Sequence, residues 1–240
     1  MDMRVKSRKV YAAVGAAAVA MAVALVAASL LGARGTSHAT KVTGPTLPGA
    51  AETAALFRGI PQHGTTLGSP RAPVTLVEFA DPQCPYCAQF TAQTLPVIVR
   101  DYVRTGKVRL VFRGLAFLGP DSGTALRWVL AAGQQNRLWN ELDILYRNQG
   151  TENTGWVTQD LLDAAARSVK GLDLARMHSD QGSSAVRAEA AAAAAAAGRA
   201  HVPGTPYFEA GRSLASVRPL ALKSFDPKAA AAQLDTLLKR

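Results

Sequence analysis

The sequence predicts an α/β fold with a helical insertion, preceded by a single N-terminal transmembrane helix. Three observations lead to this prediction. First, residues 10–32 form a run without charged residues. Second, strand-type and helix-type segments alternate around a Cys-Pro-Tyr-Cys motif at 84–87. Third, a helical block at about 121–200 interrupts this alternation. Hydrophobic residues make up 48% of the 240-residue chain and charged residues 18%, a composition that favours a packed core over disorder.

The apolar run follows a basic tail, residues 1–9. The run of residues 10–32 is long enough to cross a hydrocarbon core of about 30 Å. The positive-inside rule keeps the tail in the cytoplasm and places the rest of the chain outside. A cleaved signal peptide is the alternative, with Ser37-His38-Ala39 as the cleavage site. We favour the anchor, because the apolar region of a signal peptide is usually about 7–15 residues long.

After the apolar run, residues 33–58 are rich in Gly, Pro, Thr and Ser, which predicts a flexible linker before a single domain at 59–240. Within that domain, residues 59–68 are candidates for pairing onto the sheet. The first core strand is predicted at 74–80, where an apolar run containing one charge, Glu78, is bounded by prolines.

A helix is predicted from the cysteines to about residue 104, with a kink at Pro96. Four residues spaced four apart mark one face of it: Phe90, Thr94, Ile98 and Tyr102. Alternating apolar residues at 108–112 then predict a second strand.

The helical block contains an apolar stripe, made by Trp139, Leu142, Leu145 and Tyr146. Thr158 is a candidate N-cap, and the alanine run 190–197 is a strong helix former. Segments 206–210 and 213–217 predict a closing hairpin.

Asp226 and Pro227 have the residue types that begin a helix, and they predict a last helix that extends to residue 239.

The chain has two cysteines, Cys84 and Cys87, and a disulfide between them would close too small a loop to stabilise the fold much. Because Cys84 begins a helix, nearby N–H groups and the helix dipole should lower its pKa below the usual value of about 8.5. Cys87 lies one turn further on, where it can resolve a mixed disulfide. Pro85 suits the first helical position. We therefore expect a redox-active disulfide, with no metal or organic cofactor.

Two other kinds of site are less well supported. A zinc site needs two ligands besides the cysteines, and the four histidines are scattered along the sequence. The net charge of +10 raises the question of nucleic acid, but the basic residues are dispersed and not interleaved with aromatic residues. The sequence favours an ordinary solvated basic surface.

Four segments together resemble the DsbA-like branch of the thioredoxin superfamily, and in particular bacterial thioredoxin-domain oxidoreductases with an N-terminal anchor. They are APVTLVEFADPQCPYC (72–87), GKVRLVFRG (106–114), LWNELDILYRNQGTENTGWVT (138–158) and HVPGTPYFEAG (201–211). The resemblance implies a thioredoxin fold with a helical insertion over roughly residues 59–240.

The resemblance also implies roles for individual residues. Cys84 would be the nucleophile and Cys87 the resolving thiol. Pro206, after Thr205, would be a cis-proline facing the disulfide, in a loop that binds an extended substrate chain by strand addition. Glu78 would be a buried acid that shuttles protons for Cys87. The alternative for Glu78 is a solvent-facing charge at a strand end.

An oxidase is the leading functional hypothesis. It would donate the Cys84–Cys87 disulfide to exported proteins, and a quinone-linked membrane partner, DsbB-like or vitamin K epoxide reductase-like, would reoxidise it. Tyr86 stands where the best-known oxidase has histidine, which argues against an extremely oxidising centre. Pro-Tyr also occurs in glutaredoxins, which lack the membrane segment and the insertion. The alternatives are an envelope reductase or isomerase, for example in cytochrome maturation, and a non-catalytic, chaperone-like binding module.

Overall fold

The structure is a computed structural model that describes residues 44–222 and 225–239. In these residues a mixed sheet of six strands has the order β1-β2-β4-β3-β5-β6, with β3 and β4 parallel and the other pairs antiparallel. The strands are β1 (Gln62–His63), β2 (Thr66–Leu67), β3 (Val74–Ala80), β4 (Val108–Gly114), β5 (Tyr207–Gly211) and β6 (Arg218–Pro219).

Helices surround the sheet and supply the insertion. They are α1 (Ala50–Phe57), α2 (Pro85–Gln93), α3 (Leu95–Ile98), α4 (Pro120–Gln134), α5 (Leu138–Arg147), α6 (Gln159–Ser168), α7 (Leu174–Asp180), α8 (Ser184–Ala200) and α9 (Pro227–Leu238), with a π-helix at Val99–Val103 after α3. Helices α4 to α8 lie between β4 and β5 in sequence. The predicted α/β fold with a helical insertion at about 121–200 is confirmed.

Strand β3 is the centre of the sheet, and all seven of its residues are buried. It pairs with β4 from Val74 opposite Val108 to Ala80 opposite Gly114, and with β5 on its other edge. Burial on both faces explains why β3 is a nearly continuous apolar run. Because the strand leads directly to the cysteines, its rigid position fixes theirs.

The predicted helix after the cysteines is present, but its break lies two residues earlier than expected. Helix α2 ends before Thr94, whose hydroxyl donates to the carbonyl oxygen of Phe225 at 2.5 Å. Pro96 then falls in the first turn of α3, where its missing N–H breaks no helical hydrogen bond. The predicted inner face is buried, including Phe90 and Tyr102.

The prediction of a flexible linker over residues 33–58 is wrong for residues 50–57, which form α1. Phe57 and Thr53 on this helix are buried, and the Thr53 hydroxyl donates a hydrogen bond to the Asp143 carboxylate of α5. The Gly- and Pro-rich residues before the segment obscured its short helical pattern. The preceding part of the predicted linker, up to residue 43, lies outside the described residues.

The closing hairpin is also shorter than predicted. Residues 213–217 do not form a strand, because Ser213 and Ser216 close a turn. The Ser216 N–H donates to the Ser213 carbonyl oxygen at 3.0 Å, and the Ser213 N–H donates to Ser216 Oγ at 3.0 Å. Pairing with β5 begins after this turn, at β6.

Both predicted N-caps are confirmed. Thr158 Oγ1 accepts from the Leu161 N–H at 3.3 Å, and Asp226 Oδ1 accepts from the Lys228 N–H at 3.0 Å.

In residues 44–222 and 225–239 no helix combines the length and apolar character needed to cross a membrane. The predicted tail 1–9, the predicted transmembrane segment 10–32 and the alternative cleavage site at 37–39 lie outside the described residues.

Candidate active site

Cys84 lies where β3 gives way to α2. It is the N-cap residue of α2, with Pro85 at the first helical position, and its N–H donates to the Asp81 carbonyl oxygen at 2.9 Å. Both cysteines are free thiols; Cys84 is 3% exposed and Cys87 is 0% exposed. Cys84 lines a surface groove, so a substrate sulfur can approach Cys84 while Cys87 stays shielded.

The loop between α8 and β5 brings the second half of the site to Cys84. The Thr205–Pro206 peptide bond is cis, and the Cys84 thiol donates to the Thr205 carbonyl oxygen at 3.2 Å. The structure therefore places Thr205 and Pro206 beside the cysteine pair. A polypeptide bound along this loop would have its backbone close to Cys84 Sγ.

The two cysteines differ in acidity. A hydrogen bond from the Cys87 thiol, aided by the Thr205 side chain and by the backbone N–H groups of Cys87 and Tyr86, lowers the pKa of Cys84 to about 6, against the opposing effect of burial. Burial, together with the hydrogen bond to Cys84 and the nearby negative charges, raises the pKa of Cys87 well above its usual value. At neutral pH the pair therefore holds one thiolate, on Cys84, the sulfur that borders the groove.

Glu78 lies in the middle of the sheet beneath the cysteines, opposite Phe112 of β4 and Phe208 of β5. It is 2% exposed, so the alternative of a solvent-facing charge is wrong. Burial, and secondarily the negative charge of Cys84, raise the pKa of Glu78 to about 8. Its Oε1 atom has no hydrogen-bond partner among the described residues. A neutral, proton-carrying acid at pH 7 fits this environment.

A groove of about 490 Å³ opens beside Cys84, and the loop 202–205 forms one side of it. Two large apolar side chains on its rim are unusually exposed, Tyr86 at 62% and Phe117 at 53%. A larger groove of about 770 Å³ shares Phe117 and Val202 with it and continues along the alanine run of α8. The surface around Cys84 is thus largely apolar.

Sequence reasoning missed the role of Asp81 as a buried anchor. Its Oδ1 accepts from the Gln83 N–H at 2.8 Å, and its Oδ2 accepts from the N–H groups of Phe117 at 2.7 Å and Leu118 at 3.2 Å. The Tyr146 hydroxyl donates to the Asp81 carbonyl oxygen at 3.1 Å. In the sequence Asp81 looked only like the end of a strand, because its partners lie far along the chain.

Within the part of the chain that the structure describes, no group of three or more His, Cys, Asp or Glu side chains is placed to hold a metal ion. The site brings together two thiols of different acidity and one buried carboxyl group.

The chain also resembles known proteins, and these agree with a site built on a cysteine pair. A family model described as Thioredoxin matches residues 62–216. The probable disulfide bond formation protein D of Bacillus cereus is 36% identical over 99 residues, which are 40% of this chain and 46% of that protein. The chain thus spans about half the length of the curated relatives it matches.

Solved structures resemble most of the chain. The oxidised BdbD from Bacillus subtilis has a TM-score of 0.64 at 23% identity, covering 75% of this chain and 98% of that one, a likeness that shows the fold. A thioredoxin-like oxidoreductase from Silicibacter pomeroyi has a TM-score of 0.58 at 29% identity, covering 78% of this chain and 98% of that one. The helical insertion is part of the likeness.

Proposed function

The chain belongs to the thioredoxin family, and on that premise we propose that it is an extracytoplasmic thiol–disulfide oxidase that introduces disulfides into exported proteins. The observation that supports this most directly is the asymmetric cysteine pair, in which Cys84 borders the groove and has a lowered pKa, while Cys87 lies behind it and has a raised pKa. Relatives of this chain are named disulfide bond formation proteins, which supports the same direction of reaction.

The reaction begins from the Cys84–Cys87 disulfide. A substrate thiolate attacks Cys84 Sγ, a new S–S bond forms, and Cys87 leaves as a thiolate that must take up a proton. A second substrate thiolate attacks the substrate's own sulfur in this mixed disulfide and expels Cys84 as a thiolate. The substrate is oxidised by two electrons, and the cysteine pair is reduced by two electrons.

The pKa values favour this direction. Cys84 leaves readily in the second step, because its pKa of about 6 makes it a good leaving group at neutral pH. Cys87 is a poor leaving group in the first step unless a proton arrives. Glu78, with a pKa of about 8, is protonated at neutral pH and is the group that we assign to supply that proton.

The oxidised form must then be regenerated. We assign this step to a membrane partner of the DsbB-like or vitamin K epoxide reductase-like kind, which passes the two electrons to a quinone. Residues 10–32 would anchor the protein beside that partner, with residues 59–240 outside the cytoplasm and no cofactor besides the cysteine pair. Mass spectrometry of the native protein tests the anchor, since an N-terminus near Thr40 would mean cleavage.

The activity is tested by mixing the oxidised full chain with reduced, unfolded ribonuclease A. We expect loss of two substrate thiols per molecule of oxidised protein. The Cys87→Ser variant should accumulate a mixed disulfide with the substrate, and Cys84→Ser should form none. If Cys84→Ser left all cellular activity of the protein in place, a non-catalytic binding module would be favoured. If the oxidised chain causes no thiol loss but the reduced chain, with its Cys84–Cys87 dithiol, reduces disulfides of oxidised ribonuclease A, the reductase or isomerase alternative is favoured.

A further inference from the structure

Gln83 directly precedes Cys84 and is 0% exposed. Both ends of its buried carboxamide are hydrogen-bonded. Its Oε1 accepts from the Asn153 N–H at 2.6 Å. Its Nε2 donates to Ser122 Oγ at 3.0 Å, to Asn153 Oδ1 at 3.3 Å and to the Leu118 carbonyl oxygen at 3.4 Å. One buried side chain thus joins the cysteine loop to two distant segments of the chain.

Those two segments form walls of the groove beside the nucleophile. Phe117 and Leu118 line it on the segment after β4, and Glu152 lines it on the segment between α5 and α6. Asn153 has a φ of 58°, a left-handed conformation uncommon outside glycine. Gln83 accepts from the Asn153 N–H and donates to Asn153 Oδ1, and these two hydrogen bonds hold this conformation and with it the position of Glu152.

We propose that Gln83 is a positioning residue for polypeptide recognition, which sets the shape of the groove without touching the substrate. The inference rests on the proposed function, because it assigns the groove to the polypeptide that carries the substrate cysteine. A small dithiol needs only access to Cys84 Sγ, whereas a polypeptide also contacts the groove walls. Loss of the Gln83 hydrogen bonds should therefore weaken reaction with a polypeptide far more than reaction with a small dithiol.

The test uses Gln83→Met, which keeps the length of the side chain and removes its hydrogen bonds. Gln62 offers a matched control. It is also buried, its Nε2 donates to Asn140 Oδ1 at 2.7 Å, and its Oε1 accepts from the Trp139 N–H at 3.2 Å. These contacts lie away from the groove, so Gln62→Met costs similar hydrogen bonds without changing the groove walls.

For the oxidised full-length wild type and both variants, second-order rate constants are measured with a reduced cysteine-containing peptide and with dithiothreitol. We expect Gln83→Met to lower the peptide-to-dithiothreitol ratio at least fivefold, through a lower second-order rate constant for the peptide and a nearly unchanged one for dithiothreitol. Gln62→Met should keep the wild-type ratio. Asn153→Gly, which keeps the N–H bond to Gln83 Oε1 and permits the same φ, should give an intermediate ratio.

An unchanged ratio in Gln83→Met would overturn the inference while leaving the proposed function intact. An equal fall in the ratio in Gln62→Met would also overturn it, because general loosening would then explain the effect. If the wild type oxidises neither thiol compound, the proposed function is wrong and the inference fails with it.

Discussion

Cys84 Sγ lies 3.2 Å from the carbonyl oxygen of Thr205, although 121 residues separate the two in the sequence. The contact brings the helix N-terminus and the cis-proline loop into one site. The segments that flank the helical insertion, at 117–118 and at 202–205, line the same groove as Cys84. The chemistry of Cys84 thus depends on the position of a loop from the far end of the domain.

The acidity of Cys84 should depend chiefly on its partner cysteine. In the reduced protein we expect thiolate absorbance in the ultraviolet to titrate with a midpoint near pH 6. Cys87→Ala removes the hydrogen-bond donor that contributes most to this lowering and should raise the midpoint. Cys87→Ser keeps a hydroxyl donor and should raise it less. Equal midpoints in all three proteins would contradict the assignment.

Glu78 should control the pH dependence of the first exchange step. The acid donates a proton only below its pKa, so the wild-type rate constant, expressed per substrate thiolate, should fall as pH rises. The inflection should lie no higher than about pH 8, because burial still raises the pKa of Glu78 in the oxidised protein whereas the Cys84 charge is absent from the disulfide. Glu78→Gln should slow the release of Cys87 about 100-fold, the lower end of typical general acid catalysis, and abolish this inflection. Stopped-flow measurement of peptide oxidation across this pH range tests the prediction.

Glu141→Gln is the matched control for Glu78. Glu141 is another buried acid whose pKa burial raises to about 8, but its Oε1 accepts from Trp128 Nε1 at 2.9 Å, within the insertion. The Glu141→Gln variant should keep the wild-type inflection. Its loss there as well would mean that the inflection does not report Glu78.

The raised pKa of Glu141 should also make the protein less stable at pH 8 than at pH 4.5. Because its pKa is raised from 4.5 to about 8 on folding, the unfolded state releases the proton first as pH rises. The stabilisation that protonated Glu141 gives the folded state is complete below pH 4.5 and is lost progressively as pH rises to 8. The total decrease in the free energy of unfolding is at most about 5 kcal/mol. Urea unfolding at pH 4.5 and at pH 8 should show a smaller decrease in the free energy of unfolding for Glu141→Gln than for the wild type. A loss equal to that of the wild type would contradict this origin.

Helix α1 should contribute to the stability of the domain. Phe57 is 4% exposed and belongs to the main core, so Phe57→Ala should lower the free energy of unfolding by about 3 kcal/mol. Ala54→Gln on the exposed side of the same helix should change it by less than about 0.5 kcal/mol. A loss below about 1 kcal/mol for Phe57→Ala would indicate that α1 behaves as a linker after all.

The sequence predicted most of what local patterns determine. The apolar runs of β3 and β4 and the position of Cys84 at a helix start follow from spacing and from residue type. The burial of Glu78 did not follow from its own strand, because one charge in a short apolar run fits an edge or a centre equally well. Only the pairing of β3 on both sides places it in the core.

Long-range polar contacts were the main omission. Asp81 is hydrogen-bonded to Phe117, 36 residues away, and Gln83 is hydrogen-bonded to Asn153, 70 residues away. No local periodicity in the sequence marks such pairs. Helix α1 was missed for a different reason. Its pattern is brief, and its position depends on contacts such as the one from Thr53 to Asp143. Both omissions concern structure that tertiary packing determines.

The reduction potential of the Cys84–Cys87 pair tests the oxidase assignment most directly. The full chain is equilibrated with glutathione buffers of graded composition, and the fraction of oxidised protein is measured. A thiolate pKa near 6 stabilises the reduced form, so we predict a value between about −180 mV, as in protein disulfide isomerase, and about −120 mV, as in DsbA. A value near −270 mV, as in thioredoxin, would contradict the oxidase and identify the protein as a reductant.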